Sequence, residues 1–143
     1  MEEFGEEGQM LPRILILSGE PEHRHKLSGV MSSSGWVPVC CETRSAAKGL
    51  VMRYQIEVIV CDDVLPDGGF RELIRELKGS ACDARVVVMS RSYDDWGDYL
   101  EAMIAGAFDY LAYPPYPREL EQAVAAAFVE SRARRTAPVQ TAA

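Results

Sequence analysis

Two kinds of hydrophobic spacing alternate along this chain. Short continuous apolar runs, RILIL (13–17), IEVIVC (56–61) and ARVVVMS (84–90), are separated by stretches whose apolar residues recur every three or four positions. Continuous runs of Val, Ile and Leu predict strands covered on both faces, the condition of a parallel sheet with helices on each side. PEHRHKLSGVMSSSG brings Leu27, Val30 and Met31 together at helical spacing, and SAAKGLVMR reads as a second helix. FRELIRELKG puts Phe70, Leu73, Ile74 and Leu77 on one stripe that ends at Gly79. DDWGDYLEAMIAG predicts a helix stopped by Gly106, and YPRELEQAVAAAFVESRARR a last one with Leu120, Val124 and Phe128 on one face. WVPVCC (36–41) and FDYLAY complete the strands, and Pro38 suits the first of these to a sheet edge.

Five β-α units in succession predict an α/β fold, a five-stranded doubly wound parallel sheet in the order 2-1-3-4-5 with helices on both faces. Such sheets gather ligands and chemistry at the carboxyl ends of their central strands. IEVIVC ends there on two acids, Asp62 and Asp63. That placement makes Asp62 the first candidate for chemistry.

Length and charge narrow the classes. The 143 residues suit one domain. Its expected limits are 12–131, between a disordered acidic tail at 1–11 and a flexible tail at 132–143. No apolar run approaches the ~18 residues of a membrane span, and no basic-then-apolar leader is present, so a cytoplasmic chain without membrane contact is expected. A net charge of −7 repels phosphate backbones and argues against nucleic acid. Arg132, Arg134 and Arg135 read as a helix end rather than a binding arm. Cys40, Cys41, Cys61 and Cys82 form no C-x-x-C pair and are expected as buried free thiols. His23 and His25 lie in a charged segment and are expected on a solvated helix face.

ILILSGEPEHRHKL, VIVCDDVLPDGGF, VVVMS and AGAFDYLAYPPYPREL follow one another in an order and spacing that resembles a response-regulator receiver domain of the chemotaxis-regulator type. The resemblance spans about 12–131 and implies a flavodoxin-like fold and a place in two-component phosphorelay signalling. By it, Asp62, four residues before Pro66, matches the phosphorylated aspartate. Ser90 matches the hydroxyl that binds the phosphoryl group, and Tyr110 the aromatic residue that reports the state by turning inward. Tyr113–Pro114 matches a cis peptide of the family.

The rest of the site departs from the pattern. The two acids that help hold Mg²⁺ in the family are here Ser18 and Gly19, and the lysine before proline is Tyr113. The small residue after the hydroxyl is Arg91, and a glycine of the LPDG loop is Phe70. Mg²⁺ demands an octahedral oxygen shell, and phosphoryl transfer depends on charge neutralisation. Asp62 alone is a poor cage. Asp63, its neighbour on an extended segment, is expected to point to the opposite face. Two roles are open for Glu20, reaching back toward a metal with Asp62 or standing as a helix-start carboxylate. Two are open for Arg91, pairing with Asp62 or standing in solvent.

The sequence therefore implies a stand-alone divergent receiver that is not an enzyme and acts by protein contact. Mg²⁺-dependent phosphorylation at Asp62 is impaired or absent in this reading. The alternative is a conventional phosphoacceptor served by a histidine kinase. No cofactor is expected, Mg²⁺ entering only if the site is competent. Partners are a histidine kinase or a downstream signalling protein, and a homodimer is open. The expected docking face is the fourth helix, fifth strand and fifth helix, with Trp96, Tyr99, Tyr116, Asp94, Asp95, Asp98 and Glu101. A small enzyme on the same fold is disfavoured, because the chain contains no G-x-S-x-G, G-x-x-x-x-G-K-[ST] or G-x-G-x-x-G motif.

Overall fold

The computed structural model describes residues 12–92 and 96–136. The elements run β1 (Arg13–Leu17), α1 (Pro21–Ser33), β2 (Val37–Cys41), α2 (Arg44–Tyr54), β3 (Val58–Asp62), β4 (Val64–Leu65) and β5 (Gly68–Gly69). They continue with α3 (Phe70–Gly79), β6 (Arg85–Ser90), α4 (Trp96–Ala105), β7 (Asp109–Ala112) and α5 (Pro117–Thr136). The main sheet is parallel throughout, in the order β2-β1-β3-β6-β7. Without the two-residue antiparallel ribbon β4-β5, that is the expected 2-1-3-4-5. Pro38 does lie on an edge strand, β2.

Local chemistry sets the helix limits. Pro21 opens α1 at a position whose missing N–H has no helical partner to lose. Thr43 caps α2, its Oγ1 accepting from Ala46 N at 3.1 Å. Glu72 accepts from Gly69 N at 2.8 Å and fixes the start of α3. Gly106, at φ 109°, stops α4 in the left-handed region as expected. Gly79 is the last residue of α3 rather than its left-handed stop; Ala81, at φ 57°, takes that conformation two residues on.

Strand periodicity sorts the core into two layers. Leu15, Leu17, Ile59, Cys61, Val86, Val88 and Tyr110 face one way and pack with Ala47, Leu73, Ile74 and Ala102 of α2, α3 and α4. Ile14, Ile16, Val58, Val60, Val87, Met89 and Leu111 face the other way and pack with Leu27, Met31, Leu120 and Val124 of α1 and α5. Both faces being covered is why the strands are apolar at every position. The strand parity also decides which side of the sheet each residue at the strand ends occupies.

Two expectations need adjustment. Only Cys61 is fully buried; Cys41 and Cys82 are half-buried, and Cys40 is exposed because β2 has a free edge. Burial pushes the Cys61 thiol well up and that of Cys41 to about 11, so both stay protonated at neutral pH. The final helix continues to Thr136, so residues 132–136 are helical where a flexible tail was expected. The expected tails at 1–11 and 137–143 lie outside the described residues. Among those described, no helix is long and apolar enough to cross a membrane.

Ile59 is fully buried in β3, between Leu15 of β1 and Val86 of β6. Ile59→Ala is expected to cost about 2–5 kcal/mol of unfolding free energy, measured by urea denaturation. A loss below ~1 kcal/mol would contradict the packing described.

Candidate functional site

Ser18 continues the row of Ile14 and Ile16 beyond the end of β1, and Asp62 continues that of Val58 and Val60 in β3. Strand parity therefore delivers both side chains to the α1/α5 side of the sheet. There they meet: Ser18 Oγ lies 2.5 Å from Asp62 Oδ2. The direction of that bond follows from its surroundings. Ser18 Oγ accepts the backbone N–H of Glu20 at 3.0 Å, and its own proton faces Asp62 Oδ2 at 2.5 Å or Glu20 O at 3.4 Å. The shorter contact wins, so the hydroxyl donates to the carboxylate.

His23 completes the cluster, and here the expectation of a solvated histidine is corrected. Only 6% of the residue is exposed, and Nδ1 lies 3.2 Å from Asp62 Oδ1 and 3.1 Å from Oδ2. An ionised carboxylate only accepts, so Nδ1 carries the proton in this pairing. The ring is held from its flat side by Tyr113, with centroids 3.8 Å apart and planes 26° from parallel. The signal missed in the sequence is periodicity: His23, Leu27 and Met31 are the buried residues of α1, each four apart. His25, two positions on, is exposed.

Asp62 itself is 6% exposed. Burial pushes its carboxyl above the ordinary range, while the Ser18 hydrogen bond and the attraction of His23 pull it back; the charge of Asp63 adds to the rise. Desolvation wins. Asp63 serves through its backbone, its N–H donating to Met89 O at 2.9 Å and its carbonyl accepting from Phe70 N at 3.3 Å.

Ser90 and Tyr110 share the opposite side of the sheet. Both follow residues that face α2, α3 and α4 (Val86 and Val88 before Ser90), and Tyr110 is itself part of that layer. Ser90 is fully buried and Tyr110 is 7% exposed. Ser90 Oγ accepts from Ser92 N at 3.2 Å, and the Ser90 side chain partly offsets the rise that burial gives the Tyr110 phenol. The Tyr110 ring lies inward against Phe70, centroids 6.2 Å apart. Phe70, which stands where the resemblance places a glycine, therefore supports the aromatic residue of β7.

The remaining positions do not join Asp62. Arg91 pairs with Glu20 at 3.8 Å, and both side chains are largely exposed. Of the two roles open for Arg91, the structure shows the solvent-exposed one, its guanidinium meeting Glu20 rather than Asp62. Glu20 opens α1 without a side-chain capping bond. Gly19 cannot easily be replaced by an acid: a Cβ there would sit 2.8 Å from Cγ and Cδ of Pro66. Tyr113–Pro114 is cis, as the resemblance implied. Burial, then the charges of Glu22 and Asp62, push the Tyr113 phenol up, so it remains a neutral group.

These donors do not fit Mg²⁺. The ion takes six oxygens in near-ideal octahedral geometry, usually one or two carboxylates with phosphate and water. Here the carboxylate faces an imidazole N–H and a hydroxyl, and the neighbouring acidic position is a glycine. Among the described residues, no group of three or more His, Cys, Asp or Glu side chains could hold a metal.

Comparison with known proteins agrees with the fold. Residues 14–125 match the family model of the response regulator receiver domain. The phosphate regulon transcriptional regulatory protein PhoB of Klebsiella pneumoniae is 30% identical over 112 residues, which are 78% of this chain and 49% of that protein. The two-component response regulator PprB of Pseudomonas aeruginosa is 31% identical over 114 residues, 75% of this chain and 40% of that one. The chain thus spans about half the length, or less, of these relatives. The receiver domain of a response regulator from Clostridium thermocellum superposes with a TM-score of 0.76 at 20% identity, covering 85% of this chain and 98% of that one.

The raised carboxyl of Asp62 has a pH consequence. A group whose folded pKa exceeds its unfolded one supports the fold at low pH and withdraws that support as pH rises through the folded value. Asp62→Asn removes the cost of the buried charge and keeps an acceptor for Ser18 and His23. Its melting temperature is expected to exceed that of the parent near pH 7.5, with the gain shrinking toward about pH 4. A loss of stability at neutral pH would mean that the two hydrogen bonds outweigh desolvation.

Proposed function

We propose a docking role for this chain, which belongs to the response-regulator receiver domain family: it is a divergent receiver in two-component signalling that works by protein contact. Mg²⁺-dependent phosphorylation of Asp62 is impaired or absent. The observation that carries this reading is the occupation of Asp62 by its own protein. One oxygen takes the Ser18 hydroxyl, and His23 Nδ1 faces both. A phosphoryl group arriving there would have to displace both donors.

Charge supports the same conclusion. Phosphoryl transfer needs its developing negative charge neutralised. Tyr113 offers one neutral hydrogen bond, worth about 0.5–1.5 kcal/mol net, where a charged donor would offer about 1.5–3 kcal/mol. Arg91 is turned to Glu20, and His23 is already engaged with the Asp62 carboxylate. What the cluster can do is hold: Ser18, Asp62, His23 and Tyr113 tie the end of β1, the end of β3, the first turn of α1 and the loop after β7 together.

The expected docking face fits a protein partner. Trp96 is 65% exposed and stacks on Tyr99, with centroids 4.9 Å apart. Leu100 and Ile104 are exposed on the same helix, which also carries Asp98 and Glu101, and Tyr116 is exposed just before α5. Asp94 and Asp95 lie outside the described residues. Aromatic and aliphatic groups rimmed by acids suit the surface of a histidine kinase, a downstream signalling protein or a second copy. A cytoplasmic setting without enzymatic activity belongs to this reading.

The test is incubation with acetyl phosphate, or with beryllofluoride, in the presence of Mg²⁺. Intact mass and tryptophan fluorescence are expected to stay unchanged. A mass gain or fluorescence change abolished by Asp62→Asn would establish a conventional phosphoacceptor instead.

A further inference from the structure

The lost acids explain why a metal would bind poorly, but they do not explain why a histidine stands in the gap. His23 lies in the first turn of α1, between Glu22, which is exposed and whose charge is felt by Tyr113, and Arg24. Arg24 donates to Ser18 O at 2.8 Å and lies 3.6 Å from Glu42. Of these three residues only His23 is buried. It meets the carboxylate edge-on at 3.1 and 3.2 Å and lies against Tyr113 at 3.8 Å, and its side chain is 8% exposed. A ring wedged between a carboxylate and a phenol, closed on the inside by Ser18, fills the ground on which a carboxylate-bound ion would stand.

We propose that His23 is an internal plug: its ring, clamped by Tyr113, occupies the coordination side of Asp62 and excludes divalent ions from it. The inference rests on the docking reading above and deepens it, since the site is then closed and not merely short of acids. The plug acts in either charge state of the imidazole, because both the neutral Nδ1–H tautomer and the cation donate from Nδ1. No phosphoryl or metal event is needed to hold α1, β3 and the loop after β7 in register. The ring does so permanently.

Restoring the acid and removing the plug are separable operations. The acid is best restored by Ser18→Asp, because a side chain at Gly19 would strike Pro66 at 2.8 Å. Mn²⁺ binding, read by electron paramagnetic resonance as loss of the free-ion signal, is compared for the parent, Ser18→Asp, His23→Ala and the double variant. Thermal melts verify folding. Should His23→Ala fail to fold, His23→Val, which keeps apolar contact along the stripe but cannot reach Asp62, replaces it. The double variant is expected to bind Mn²⁺ at least about tenfold more tightly than Ser18→Asp alone. Equal affinities for these two variants, or no binding by the double variant, would overturn the plug while leaving the docking reading intact. Tight binding by the parent chain would overturn both.

Discussion

A carboxylate closed inside the fold, with its lone pairs taken by a hydroxyl and an imidazole, is the constraint on which the structure of this site depends. Removing a carboxylate from water is costly unless donors replace the water. Ser18 and His23 are those donors, and each is fixed by something else: Ser18 by the Glu20 amide, His23 by the Tyr113 ring. Hydrogen bonds to a charged group contribute about 1.5–3 kcal/mol each, against several for the desolvation. The upward displacement of the Asp62 carboxyl says that the donors offset burial only in part. On the docking reading, the arrangement is a closed fixture rather than an open binding site.

The sheet divides what a working receiver would have to couple. Asp62 and Ser18 face α1 and α5; Ser90 and Tyr110 face α2, α3 and α4. Ser90 accepts from Ser92, and Tyr110 rests on Phe70. Each half is satisfied by its own neighbours. On the docking reading, no signal needs to pass between these two clusters. Such a domain keeps one shape for a partner, which is what the docking reading requires.

Much of the fold was legible because strands covered on both faces are apolar at every position, and RILIL, IEVIVC and RVVVMS carry that pattern unbroken. Gly106 and Pro38 were read correctly because each has a distinct backbone chemistry: glycine tolerates the left-handed stop of α4, and proline, lacking an N–H, suits an edge strand. The ribbon β4-β5 was not legible, since two residues per strand are too few to show a period. Cys40 was misjudged because the edge position that Pro38 gave to β2 was not carried over to the other residues of that strand. At the site, Asp62 followed from the end of a buried run. His23 did not, although it stands four residues before Leu27 and eight before Met31; its charged neighbours Glu22, Arg24 and Lys26 masked the stripe. The two fates open for Arg91 could be separated only by finding Glu20 within its reach.

The most direct measurement of the central claim is nitrogen NMR of the His23 imidazole, with and without millimolar Mg²⁺. The structure requires the proton on Nδ1, held by the Asp62 carboxylate, and ring resonances that do not move as the ion is added. A bare Nδ1, or a saturable Mg²⁺-dependent shift of the ring, would mean that the carboxylate is open to solvent ions and that the closed site described here does not exist.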